Sequence, residues 1–479
     1  MAIGKKKVFL IRFEPKVYSE NAHPIGHTPP FMLKYIQAFL LRDNYDISFI
    51  DQRINAFSND EILSLCLEGQ FEVVVLQVAT IEFESAQYLI GKLRKKNKNV
   101  VIIGVGQKIT AQYDKIKELN LFDCIVPGEA EEEVYNIINS YYQNFCEHNS
   151  VAGFFAKYNY EQHIIVKNLD KLPFVHYDEQ EFEKYSFVYP LPLWEKVRWG
   201  HVLCTRGCPH GCIFCSQIMR VSYGKELRVR SVENVLNEIE NLLNNGSNII
   251  SFDDDNLSTS PEYLEKLCAE IIKRKMKFHW ICHARVDEMN ERLIKRCKQA
   301  GCVLLRFGIE SGSEKVLKNL RKTKKISKWK QKALSVVKIA KKEGIFVAGL
   351  FIVGSPEETW VDLNQSILFA KELNCEIIQV AFFTPFPGSV AYSRYLKKTT
   401  IKALEDSLYH YRANSVNISA MSDHDLKRAQ IYFYKKYLLR FWFLIQHFIK
   451  CAGFYFFNLN VFLRLTNIRK DFFKVLAGK

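Results

Sequence analysis

Three cysteines in the stretch CTRGCPHGCIFCS, residues 204–216, keep a fixed rhythm: Cys208, three residues, Cys212, two residues, Cys215. A further cysteine, Cys204, lies four residues upstream of the first. Clustered thiolates suit two kinds of metal centre, zinc and iron–sulfur. Structural zinc takes four ligands, commonly as two separated pairs. No second pair follows here, although Cys204, His201 or His210 could complete a zinc site. Three thiolates on a four-iron cluster leave one iron open for a substrate or cofactor, which suits a cluster that reacts. Both readings stand on spacing alone.

The elements that must position this loop show in the hydrophobic pattern. With 479 residues the chain exceeds one compact core, and its 48% hydrophobic content is that of a folded protein. Residues 1–150 alternate apolar strands (8–13, 46–51, 72–80, 99–104, 124–126) with helical patterns at 29–41, 82–96 and 130–142. That rhythm predicts a doubly wound, Rossmann-like parallel sheet with ligands at the carboxyl ends of its strands. Residues 151–195 read as a small hairpin (153–168) and a proline-bearing linker. From 196 to 410 six longer βα units follow, with strands at 200–204, 248–254, 278–284, 303–309, 346–353 and 376–383. They predict a partial (β/α)6 TIM-like barrel. Between the first two strands, 231–245 is helical, with Ser231 as its cap. The cysteine loop follows the first barrel strand, on the rim where such barrels carry chemistry. Residues 411–479 form a helical C-terminal segment.

The loop C208-PHG-C212-IF-C215 resembles the CxxxCxxC motif of the radical S-adenosylmethionine superfamily, with the aromatic Phe214 before the third cysteine. In order along the barrel, ISFDDDNLS (250–258), CHARVD (282–287), RFGIESGSEKVL (306–317), FIVGSPEET (351–359) and TPFPGS (384–389) resemble that family's later strand signatures. The segments IIGVGQKIT and DCIVPGEAEEEV make residues 1–150 similar to the cobalamin-binding domain of one branch of the superfamily. The resemblance implies that Cys208, Cys212 and Cys215 ligate a [4Fe-4S] cluster and that S-adenosylmethionine chelates the fourth iron. Reduction would then release a 5′-deoxyadenosyl radical. It places Phe214, Asp253, Asp254, Arg285, Glu310, Ser311, Gly354 and Pro356 around S-adenosylmethionine. Arg285 would pair with the methionine carboxylate, unless Asp287 takes it, and Glu310 would meet the ribose hydroxyls. Cys204 is not a family ligand and reads as a packed thiol.

For cobalamin the resemblance points to Thr80, Gly104, Gly106, Gly128 and Glu129 at strand ends. Two departures stand against the pattern. No D-x-H-x-x-G segment offers a histidine to cobalt, and the usual Gly-Gly-x-His reads Gly104-Val105-Gly106-Gln107. His23 and His27 lie on the first loop as further polar residues. The domain either binds cobalamin, implying methyl transfer or carbon-skeleton chemistry, or keeps the fold without it, implying methylthio transfer or rearrangement. A zinc-stabilised binding protein is the non-enzymatic alternative.

The formal net charge is +15, and residues 431–479 carry +8 of it together with fifteen aromatics. The body is therefore only mildly basic, which argues against a nucleic-acid binder. The segment reads as a helical cap on the barrel, an interfacial helix on anionic lipid, or a single-strand contact. Its longest uncharged runs are too short to span a bilayer. The opening MAIGKKKVFLIRF lacks a signal-peptide h-region, so the expected setting is the cytoplasm, with reduced thiols. A small-molecule or lipid-like substrate and an electron donor such as flavodoxin or ferredoxin are the expected partners.

Overall fold

The computed structural model describes residues 6–14, 26–144, 151–160, 162–187, 189–215, 222–396 and 417–459. His23 and residues 460–479 of the basic segment lie outside them.

Five strands form the first sheet: β1 (Lys7–Arg12), β2 (Asp46–Asp51), β3 (Val73–Gln77), β4 (Val101–Val105) and β5 (Cys124–Val126). They run parallel in the order β2-β1-β3-β4-β5. Successive residues of a strand face opposite sides. Val8 and Leu10 accordingly pack under helices 31–42 and 131–144, while Phe9 and Ile11 pack under helices 59–68 and 83–96. The sheet is thus covered on both faces, and the order reverses between β1 and β3, where a doubly wound sheet opens its ligand crevice.

The second sheet is also parallel: β6 (Trp199–Val202), β7 (Ile249–Phe252), β8 (His279–Ala284), β9 (Cys302–Glu310), β10 (Phe346–Val353) and β11 (Ile377–Phe382), paired in sequence order. No pairing joins β6 to β11 among the described residues, so the barrel is open. Its outer face packs on the crossover helices in the largest core cluster, which includes Phe252, Trp280 and Phe307. Its lower lumen is filled by Phe187, Tyr189, Leu191 and Leu193 from the linker, and by Cys451 and Phe454 from the last helix. The helix at 232–244 starts where Ser231 accepts the Asn234 N–H.

The described residues of 153–168 do not form the expected hairpin. Val151–Phe155 is one helical turn, and Ile164 makes only a parallel bridge to Gly128. The alternating aromatics are used differently: Phe154 stacks edge-on against Tyr141 at 5.6 Å and joins the core of the first sheet.

Two helices close the chain, Asp423–Leu438 and Phe441–Phe457. The first covers the exposed edge of β11. Tyr434 Oη accepts the Val380 N–H at 2.9 Å, and Gln430 donates to the Val380 carbonyl at 2.6 Å. Such cover removes an edge that could pair with another chain.

Candidate active site

The cysteine loop leaves β6 through a short ribbon in which Thr205–Arg206 pairs with Arg228–Val229. Gly207 has φ +87°, and a Cβ there would lie 2.0 Å from the Glu226 carbonyl oxygen. Only glycine can make this turn into Cys208. Asp254, just past β7, is buried and holds the strand exit by accepting the Cys204 and Thr205 N–H groups and the Thr205 hydroxyl. Burial pushes its carboxyl up to about 6, against the pull of those donors. Cys204 itself is fully buried with a raised thiol pKa, caused first by burial and then by Asp254.

Farther along the loop, His210 Nε2 meets Glu288 at 2.6 Å, and Glu288 also accepts from Asn256 and Ser258. Ile213 donates to the Leu320 carbonyl and accepts from the Ala391 N–H, and Phe214 packs on the same apolar cluster. The loop is thereby tied to the ends of three other strands. Burial raises the Cys208 and Cys215 thiols, Cys215 to about 12, and Asp255 adds to both. Cys208, Cys212 and Cys215 stand together on this one loop. A cluster takes one cysteine per iron, and the loop supplies three. The donor set fits the cluster.

The other expected residues divide. Arg285 is 6% exposed and brings Nη1 to 3.7 Å from the Cys212 sulfur, while its fork also holds Asp287. Glu310, at φ +65°, ends β9 and pairs with Lys322 at 2.8 Å. Asp253 faces the lumen, bound by His201 Nδ1 and Ser251 Oγ, each at 2.6 Å. Ser311 is buried against Ser366. Leu426 occupies the space a side chain at Gly354 would need, and Asn319 donates to the Pro356 carbonyl. Asp255, Lys322 and Glu358 were not singled out from sequence. The third aspartate of the DDD run was a signal for Asp255, whose carboxyl is pushed well up by burial beside the cysteines.

On the first sheet, Thr80 Oγ1 and Gln77 Oε1 are buried without a hydrogen-bond partner just where the crevice opens at the end of β3. Gly106 (φ +103°) brings its backbone against Val78 beside them. Two orphaned polar atoms in a crevice fit a polar ligand there. Gly104 and Gly128 have internal reasons to be glycine: Phe122 packs on the first and the Ile164 backbone on the second. Glu129 is buried between Arg206 and Arg228.

The two sheets meet at their carboxyl edges. Arg206, from the cysteine loop, reaches Glu129 and Glu131 beyond β5, and Ile81 beyond β3 packs on Phe386 beyond β11. The crevice and the cysteines therefore face one another.

Residues 202–370 match the family model of the radical SAM superfamily, and residues 21–138 match that of the B12 binding domain. The chain is a radical S-adenosylmethionine enzyme with an N-terminal B12-binding domain, and its cofactors are a [4Fe-4S] cluster, S-adenosylmethionine and cobalamin. It is 28% identical over 384 residues to an uncharacterized methyltransferase of Pyrococcus horikoshii, covering 78% of this chain and 80% of that one. It is 25% identical over 451 residues to the anaerobic magnesium-protoporphyrin IX monomethyl ester cyclase of Rubrivivax gelatinosus, covering 91% and 78%. In fold it is similar to the radical S-adenosylmethionine methyltransferase TsrM of Kitasatospora setae, with a TM-score of 0.62, 14% identity, and coverage of 81% and 77%.

Proposed function

We propose that the protein transfers a methyl group to an unactivated carbon of a small-molecule or lipid-like substrate, drawing on all three cofactors. The observation that carries this reading is the meeting of the two carboxyl edges, which sets the crevice holding Thr80 and Gln77 opposite the cysteine loop. When bound, the cofactors would supply one-electron cleavage of S-adenosylmethionine and a transferable methyl group. Cys208, Cys212 and Cys215 hold the cluster, and Arg285 places a guanidinium beside it for the methionine carboxylate. Phe214, Asp253, Asp254, Glu310, Ser311, Gly354 and Pro356 line or brace that pocket. Thr80 and Gly106, with Gln77, border the cobalamin crevice, while Gly104, Gly128 and Glu129 shape its floor. Phe187, Tyr189, Leu191 and Leu193 of the linker close the lower end of the barrel chamber to water. Flavodoxin or ferredoxin is the electron donor.

Anaerobic reconstitution tests this reading. Expected are about four irons per chain, reductive cleavage of S-adenosylmethionine, and a corrinoid band retained after incubation with hydroxocobalamin. Stoichiometric zinc without cleavage overturns it. Cleavage without corrinoid retention overturns the methyl-transfer reading.

A second observation bears on location. No described helix is long and apolar enough to cross a membrane. Helix 441–457 nevertheless exposes Phe441, Trp442, Phe448, Ile449 and Phe456, each at least 60% accessible, with Arg440 at its N-cap and Lys435 and Lys436 in the last turn of the helix before it. Its other face, Cys451 and Phe454, is the barrel plug. We infer that the exposed aromatic face docks on anionic lipid at the inner face of the membrane. Flotation with phosphatidylserine vesicles is expected for the full chain and lost in a Trp442→Ser/Phe448→Ser variant. Flotation unaffected by the double change overturns it.

A further inference from the structure

Along β10 and β11 every second residue is half-buried: Leu350 and Ile352, then Ile377, Gln379 and Ala381. His283 on β8 and Gly308 on β9 continue the pattern. Alternate residues share one face of a sheet, and the opposite face packs on helices. These residues therefore line the upper lumen, above the aromatic plug. The walls differ in kind: β10 and β11 offer mainly apolar side chains, while β8 and β9 offer His283 and Arg306, paired in register.

Arg306 is 3% exposed. Five arginines are buried among the described residues, and the other four are each met by a carboxylate within hydrogen-bond reach: Arg12 by Asp51, Arg206 by Glu131, Arg230 by Glu238 and Arg285 by Asp287. Arg306 is not. Its nearest carboxylate, Asp253, stands 3.9 Å away and is already held by His201 and Ser251. Its Nε has no partner, and the Phe252 carbonyl is at the 3.5 Å limit of a hydrogen bond. The rings of Phe187 and Tyr189 lie under it at 5.3 and 5.9 Å. A guanidinium cannot shed its charge, and the long pairing with Asp253, whose oxygens are held by two other groups, offsets only part of the cost of burying it. The stacked rings offset only about 1–2 kcal/mol of that. His283 adds a ring with no hydrogen bond of its own; burial and the neighbouring Arg306 keep it neutral, so one nitrogen donates.

We propose that this wall reads an oxyanion on the substrate, and that the substrate is an acid with an apolar body: the carboxylate or phosphate seats on Arg306 and His283, and the body lies along Leu350 and Ile352. The proposal names the substrate class for the chamber assigned above and rests on that assignment.

The test uses the full chain, reconstituted with its cofactors, and three probes of one chain length: octanoate, octyl phosphate and octanamide. Calorimetry is expected to show wild type binding at least one acid in preference to the amide. A preference for octanoate alone marks a carboxylate site, and one for octyl phosphate alone a phosphate site. Arg306→Gln is expected to lose about tenfold or more in binding the preferred acid, the worth of a charge-assisted bond, with the amide unchanged. Arg306→Lys should recover part of the loss. Wild type with no preference for either acid overturns the proposal, as does Arg306→Gln that keeps the preference. The thermal midpoint separates binding from folding: removing this loosely paired charge should change it little, and a clearly lower midpoint with the preference intact would mark Arg306 as a structural residue. Iron content and reductive cleavage of S-adenosylmethionine are read on the same wild-type samples. Their absence sinks the radical-enzyme reading, whereas a missing acid preference in an iron-loaded, cleaving enzyme sinks only this one.

Discussion

Arg206 lies 2.7 Å from Glu131 and 3.1 Å from Glu129, with all three side chains buried. It stands two residues before Cys208, and its partners lie just beyond β5. One guanidinium thus clamps the cysteine loop to the B12-binding domain. A second arginine, Arg228 of the paired strand, closes on Glu129 from the other side. Removing one member of such a set leaves a buried charge without its partner, at a cost of roughly 3–5 kcal/mol. Arg206→Met is expected to lower the unfolding midpoint in urea and to reduce iron uptake together. Unchanged iron uptake would mean the loop holds its shape without the clamp.

The three motif cysteines and Cys204 should part company. Cys208→Ala, Cys212→Ala and Cys215→Ala are each expected to abolish iron incorporation and cleavage of S-adenosylmethionine. Cys204 is walled in behind the strand. Its truncation to alanine should cost about 1–2 kcal/mol of packing and keep the iron. Cleavage by Cys212→Ala, measured as 5′-deoxyadenosine formed, would refute the ligand assignment.

Two glycines of the same loop make a controlled pair. A Cβ at Gly207 would meet the Glu226 carbonyl at 2.0 Å on a left-handed backbone, whereas one at Gly211 would meet nothing within 4 Å. Gly207→Ala carries about 1–2 kcal/mol of backbone strain in addition to the clash. It is expected to fall well below wild type in iron bound per chain. Gly211→Ala should match wild type. Equal iron in both variants would show that the turn into Cys208 can be remade.

The strands were legible because buried parallel strands are short β-branched runs between turn residues, a local property; β2 was expected at 46–51 and lies there. The helix at 59–68 was passed over despite its signal, Ser58 and Glu61 closing a capping box. It buries only Ile62, Leu63 and Cys66, so its periodicity is faint. The hairpin failed for the opposite reason. FFAKYNY alternates like a strand, but Phe154 and Phe155 pack on Tyr141, and tertiary contact outweighed the pattern. In the site, the cysteines were readable because their spacing is itself the chemistry. Lys322, His283 and Arg306 were not, since their meaning comes from strands that only the folded sheet brings together. Glycine near the crevice is a weaker signal, because it also serves close packing, as Gly104 does against Phe122.

Glu358 gives the fold a pH dependence that can be isolated. Its Oε2 accepts the Gly354 and Ser355 N–H groups, and its Oε1 is buried without a partner. Burial pushes the carboxyl from 4.5 up to about 8, against the pull of those two donors. In the window between these values the folded chain keeps a proton that the unfolded chain has lost. Stability from this group is therefore fully present below about pH 4.5 and lost as pH rises through about 8. Glu358→Gln cannot titrate. Asp254, raised to about 6, titrates in both proteins and cancels in their difference. The thermal midpoint of the variant minus that of wild type should therefore climb between about pH 5 and 8, by an amount on the order of 2–4 kcal/mol in stability. A difference that stays flat across that window would show that Glu358 is ionised in the fold at neutral pH, held by the Gly354 and Ser355 donors.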